Sequence, residues 1–159
     1  MARLPSLGPG GVGWVAIQGV LLVLVGAAGW SLGPDWGEPL RTIAVVVGIV
    51  LVAAGIVLAG RGMLELGNAL SPLPEPRARA ELVDSGVYGL VRHPIYGGLI
   101  LVAAGWSLVN TSLMALAWTI VLAGFMTLKS VREEVLLEAR YPSYPAYRAR
   151  TRRFIPRLF

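Results

Sequence analysis

His93 is the only histidine of the chain, and it stands between Arg92 and Pro94 at the edge of a long apolar segment. A proline suits the first turn of a helix, where the amide it lacks would have no partner anyway. The spacing therefore predicts a helix that begins at 93 or 94. The free amides of such a start carry a partial positive charge, and Arg92 and His93 add to it. The combination suits an anionic group such as a carboxylate or a phosphate. Tyr88 and Tyr96 flank it. Simple anchoring of a helix in lipid headgroups would explain Arg92 alone, but it needs no histidine and no fixed aromatic spacing.

A second constellation lies in residues 129–156, KSVREEVLLEARYPSYPAYRARTRRFIP. Lys129 and Glu133 are four apart, as are Glu134 and Glu138, so each pair shares a helix face. An ordinary solvated helix with weak salt bridges, worth about 0.2–1 kcal/mol each, is the plain alternative. Tyr141, Tyr144 and Tyr147 recur every three residues, broken by Pro142 and Pro145. They suit either interfacial aromatics or the wall of a planar pocket. Arg148, Arg150, Arg152 and Arg153 read as contacts to anionic lipid, about 1 kcal/mol each.

The segments around these groups say where they must stand. Apolar residues make up 55% of the 159 and charged residues 14%, against about 25% charged in soluble domains. Residues 12–32, 42–60, 95–109 and 112–128 form uncharged apolar runs, and Arg61 and Lys129 are the first charges after the second and fourth. At about 1.5 Å per residue the first reaches across a hydrocarbon core of about 30 Å. The expectation is an all-α, polytopic membrane helical bundle with about four transmembrane helices and a C-terminal cytosolic helical segment, in one domain over 1–159. With both termini, 61–94 and 129–159 on one side, Arg41 alone among the fourteen Lys and Arg falls on the other. The positive-inside rule then puts both ends in the cytoplasm. Trp14, Trp30, Trp36 and Trp106 fall near span ends, where aromatic rings anchor; Trp118 lies deeper. Cysteine is absent, which excludes disulfides and thiolate chemistry, and one histidine builds no multi-histidine metal site. No metal is expected. The net charge of +5 is the cytosolic bias of a membrane protein, and no nucleic-acid-binding motif accompanies it.

Leu82-Val83, Gly86-Val87-Tyr88 and Arg92-His93-Pro94-Ile95-Tyr96-Gly97 resemble the isoprenylcysteine carboxyl methyltransferase family, whose wider group includes phospholipid methyltransferases. So do Glu133-Glu134, Leu137, Tyr144, Tyr147 and Phe154-Ile155-Pro156. The likeness covers about 68–156; the first two spans match only in being apolar. Tyr141-Pro142 stands where relatives often have an aromatic-glycine pair, and the stretch from Glu133 to Tyr147 is one residue shorter.

The resemblance implies an integral membrane enzyme that uses S-adenosylmethionine without a Rossmann domain. It implies a cofactor site lined by Leu82, Val83, Tyr88, His93, Pro94, Ile95, Tyr96, Glu133 and Tyr147. Lys129 stands where relatives often have an arginine tied to substrate. Arg92 and Glu134 are the candidates at the reacting centre: Arg92 with His93 to hold the cofactor's carboxylate, Glu134 as general base for an amine or hydroxyl acceptor. A carboxylate acceptor needs no base. The expected acceptor is a lipophilic or prenylated molecule, a carboxylate before other groups, that arrives from the membrane lipids at the cytosolic face; the residues do not show the oligomeric state. The rivals are phospholipid amine methylation, an NADPH-using enzyme like the sterol reductases, and a non-enzymatic membrane scaffold.

Overall fold

A computed structural model describes residues 5–30, 36–71, 73 and 81–155. Arg3, Arg77, Arg79, Pro156 and Arg157 lie outside the described residues, as does most of the proline-rich stretch 71–76. Five α-helices follow in chain order: α1 (Val12–Gly29), α2 (Leu40–Leu66), α3 (Pro94–Val109), α4 (Leu113–Arg140) and α5 (Tyr144–Arg150). Among the described residues there is no strand. Stretches that contain α1, α2 and α4 are long and apolar enough to cross a membrane, and α3 is a shorter apolar helix of 16 residues. Inside a bilayer a helix satisfies its own backbone polar groups, which is why apolar runs of this length take that form.

Two helices outrun the apolar segments that predict them. The second was expected to end at Arg61, yet α2 continues to Leu66 and stops at Gly67, whose φ of 47° suits a glycine. The fourth was expected to end near residue 128, yet α4 runs unbroken to Arg140. A charge marks where the hydrocarbon ends, and nothing in Arg61 or Lys129 breaks a helix.

α2 packs against α3 through glycines spaced by seven. A methyl group at Gly48 would sit 2.7 Å from the Gly105 carbonyl oxygen, and one at Gly55 would sit 2.6 Å from that of Gly98. One at Gly62 would meet Pro94 Cγ at 2.9 Å. Small residues let helices approach this closely where lipid supplies no hydrophobic drive. At the opposite end from Pro94, Ser112 caps α4 by accepting from the Ala115 amide and donates to Ala28 of α1 at 2.7 Å. Leu21 and Val25 of α1, Ala103 of α3, and Leu122 and Met126 of α4 form the core. Phe154 of the carboxy-terminal tail joins them, so the tail is packed into the bundle. Trp14 is also interior rather than an interfacial anchor: it is buried, lies 5.4 Å from the Phe125 ring and donates to the Pro5 carbonyl. Trp30 is exposed.

Candidate functional site

Three pieces of chain meet at one end of the bundle. The C-terminal turn of α2 holds the 3-10 turn Gly86–Gly89: the Glu65 carboxylate accepts from the Val87 amide at 2.6 Å. The chain from Leu90 to His93 then pairs with the tail. The Arg92 and His93 amides donate to the carbonyls of Arg152 and Arg153 at 2.8 and 2.9 Å, and the Arg152 amide donates to Leu90 at 3.3 Å. His93 precedes α3, and Pro94 is its first residue.

Glu134 is the hub of this junction. Its Oε1 accepts from Arg92 Nε at 3.0 Å and Arg153 Nε at 3.3 Å, and lies 3.2 Å from His93 Nε2. Its Oε2 accepts from Arg153 Nη2 at 3.3 Å and lies 3.6 Å from Arg148 Nε. The residue is buried, so the carboxylate exchanges its water for these donors. Arg92 is committed too: its Nη1 donates to the carbonyls of Thr151 at 2.5 Å and Arg148 at 3.2 Å. The expected roles thus meet a different geometry. A general base needs a free lone pair toward its substrate, and Glu134 has turned both oxygens to protein cations. The tail, not a ligand, takes the amides of Arg92 and His93 and donors of the Arg92 side chain.

Beside the junction lies a cavity with an empty volume, open mouth included, of ≈ 820 Å³. Leu82, Val83, Tyr88, Arg92, His93, Ile95, Tyr96, Glu133 and Tyr147 all line it. Successive helix residues point about 100° apart, so Glu133 faces the cavity where Glu134 faces the junction. Tyr96 donates to Glu133 Oε2 at 2.9 Å, and His93 Nδ1 lies 3.8 Å from the same oxygen. The His93 and Tyr96 rings stack with centroids 5.4 Å apart. Burial first, and then the charge of Glu133, raises the Tyr88 hydroxyl pKa; burial is also the main cause of the rise at Tyr144 and Tyr147. These phenols stay neutral and keep their protons available to donate.

Three predicted residues stand elsewhere. Pro94 packs against Gly62, and Glu134 sits in the junction. Lys129 is buried, donating to Gln18 of α1 at 2.6 Å with its ammonium 5.1 Å from the Tyr96 ring centre. Tyr141 and Tyr144 line the cavity too, as the pocket-wall reading of the tyrosine run has it, whereas Leu66, Ala69 and Leu73 also line it and were missed. For Leu66 and Ala69 the signal was helical propensity continuing past Arg61.

A family model described as phospholipid methyltransferase matches residues 43–143. The chain belongs to that family. Its members are integral membrane methyltransferases, isoprenylcysteine carboxyl methyltransferase-like ones among them, and their acceptors are lipid-type molecules. No curated protein matches the chain. The family match takes in nearly all of α2, which the resemblance in sequence had left out, and stops before α5. The roles of Tyr144, Tyr147 and Arg153 therefore rest on geometry.

Proposed function

We propose that this membrane methyltransferase uses S-adenosylmethionine and methylates a lipophilic acceptor at the cytosolic face of the bilayer. The observation that carries the reading is the cavity wall. It joins an aromatic set (Tyr88, Tyr96, Tyr147), two lining carboxylates (Glu133 and Glu81) and an apolar side (Leu66, Leu82, Val83, Leu137). That donor set fits a sulfonium nucleoside. Aromatic faces and a carboxylate hold a cation, with about 0.5–2 kcal/mol from each ring contact, and the apolar side takes a flat base. When bound, the methyl donor supplies a carbon already activated by positive sulfur.

The chain's own residues have positioning work. Tyr96 orients Glu133 toward the cavity, and His93 stacks on Tyr96 to hold that ring. Glu134 fixes the tail against α3 and α4. Lys129 lies between the cavity wall and α1, where the polar end of a molecule entering from lipid would arrive. Rate then follows from in-line placement of the nucleophile. A carboxylate acceptor needs no proton acceptor, which agrees with an engaged Glu134 and favours a prenylated or other lipophilic acid. The family description supports the second reading, a phospholipid amine. The basic residues Arg148, Arg150, Arg152 and Arg153 stand at the cavity's end of the bundle, and the positive-inside rule places that end, with both termini, in the cytosol.

The test is calorimetric titration of the detergent-purified protein with S-adenosylmethionine, then turnover of labelled methyl donor with lipid extracts. Saturable binding and a labelled lipid product are expected. A folded sample that takes NADPH and ignores S-adenosylmethionine would replace the reading with a reductase.

A further inference from the structure

We propose that the Tyr144 hydroxyl is a reserved donor for the amino-acid end of the bound methyl donor; the inference rests on the S-adenosylmethionine reading above. Tyr144 lines the cavity and is fully buried, yet its hydroxyl has no hydrogen-bond partner among the described residues. The hydroxyls of its neighbours in the wall are engaged. Tyr147 donates to the Tyr88 carbonyl at 2.9 Å, Tyr88 to the Gly62 carbonyl at 3.4 Å, and Tyr96 to Glu133. The Tyr144 ring is held by α5 and by an edge contact to Tyr147, 5.6 Å between centroids.

A buried hydroxyl without a partner is unfavourable, and native proteins keep few of them. Phenylalanine would fill the same space without that penalty. The hydroxyl is therefore explained by something that enters the cavity and accepts from it. Its surroundings say which part of the ligand that is. Beyond burial, the charges acting most on it are those of Glu134 and Arg92, ahead of Glu133. Tyr144 opens α5, and Arg92 donates to the Arg148 carbonyl of the same helix at 3.2 Å, so Tyr144 belongs with Arg92 on the charged side of the cavity. A neutral O–H there complements an acceptor, and the carboxylate of the amino-acid moiety is the strongest acceptor the ligand offers.

The experiment compares the parent with Tyr144→Phe and Tyr147→Phe, full length in detergent. Calorimetry reads affinity for S-adenosylmethionine and for 5′-methylthioadenosine, which has the nucleoside but no amino-acid end. Thermal unfolding reads the ligand-free state. Tyr144→Phe is expected to weaken S-adenosylmethionine binding about 10-fold and to leave 5′-methylthioadenosine within about two-fold, as loss of one hydrogen bond to a charged acceptor predicts. Its ligand-free midpoint should hold or rise, whereas Tyr147→Phe, which loses an existing bond, should lower it. Unchanged S-adenosylmethionine affinity in Tyr144→Phe overturns the proposal. Equal weakening of both ligands overturns it too, since the contact is then with the nucleoside, and a lowered ligand-free midpoint makes the hydroxyl structural. A parent that binds neither ligand removes the methyl-donor reading itself and this proposal with it.

Discussion

Replacing Glu134 by glutamine keeps the side chain's shape and removes its charge. Two cations lose their counter-ion, Arg92 and Arg153, with side chains 9% and 19% exposed; Arg148, at 40%, keeps Glu138 at 3.7 Å. Arg148 is open enough for water to compensate it, so it contributes little. For Arg92 and Arg153 the loss is larger, because an unpaired buried charge costs about 3–5 kcal/mol. Geometry adds to it. The amide nitrogen of glutamine must replace one carboxylate oxygen, and both oxygens face donors. We therefore expect Glu134→Gln to lose about 3–5 kcal/mol of stability, read as a lowered unfolding midpoint in detergent. S-adenosylmethionine binding should fall with it, because the tail that Glu134 anchors backs the cavity. A stable variant that binds the methyl donor normally but turns over far more slowly would refute this reasoning. It would restore Glu134 as the general base.

Glu133→Gln should fold like the parent and weaken S-adenosylmethionine binding by about 10- to 100-fold, the worth of a charge-assisted hydrogen bond; unchanged affinity by calorimetry removes Glu133 from the site. Lys129→Gln should raise the acceptor's KM and leave affinity for the methyl donor alone, as steady-state kinetics would show; a loss of cofactor binding instead would move Lys129 to the cofactor. Gly55→Leu forces a side chain against the Gly98 carbonyl and should cost about 1–3 kcal/mol or more by overpacking, seen as a lowered unfolding midpoint, whereas the outward-facing Gly60→Leu should cost little. The chain has no cysteine, so single-cysteine labelling gives a clean topology test. Ser85→Cys should react with an impermeant thiol reagent only from the cytosolic side and Leu40→Cys only from the other; the reverse pattern would invert the orientation.

The sequence by itself determined that this is a bundle of apolar helices and roughly where each apolar segment lies. Those properties depend on runs of residue type, and a bilayer reads runs directly. It also marked the two stretches that meet at the cavity, because His93 with Pro94 and the pair Glu133-Glu134 are conspicuous against so apolar a background. The tertiary structure alone decided how the roles divide. Glu133 and Glu134 are adjacent in sequence, and only the rotation of α4 relative to α3 turns one to the cavity and the other to the arginines. Arg92 reads as a free cation until the tail supplies the carbonyls it binds, some sixty residues away along the chain. Lys129 likewise finds its partner in Gln18, across the bundle. Charge and hydropathy are local properties, legible residue by residue, whereas which lone pair a donor fills depends on contacts between segments that only folding brings together.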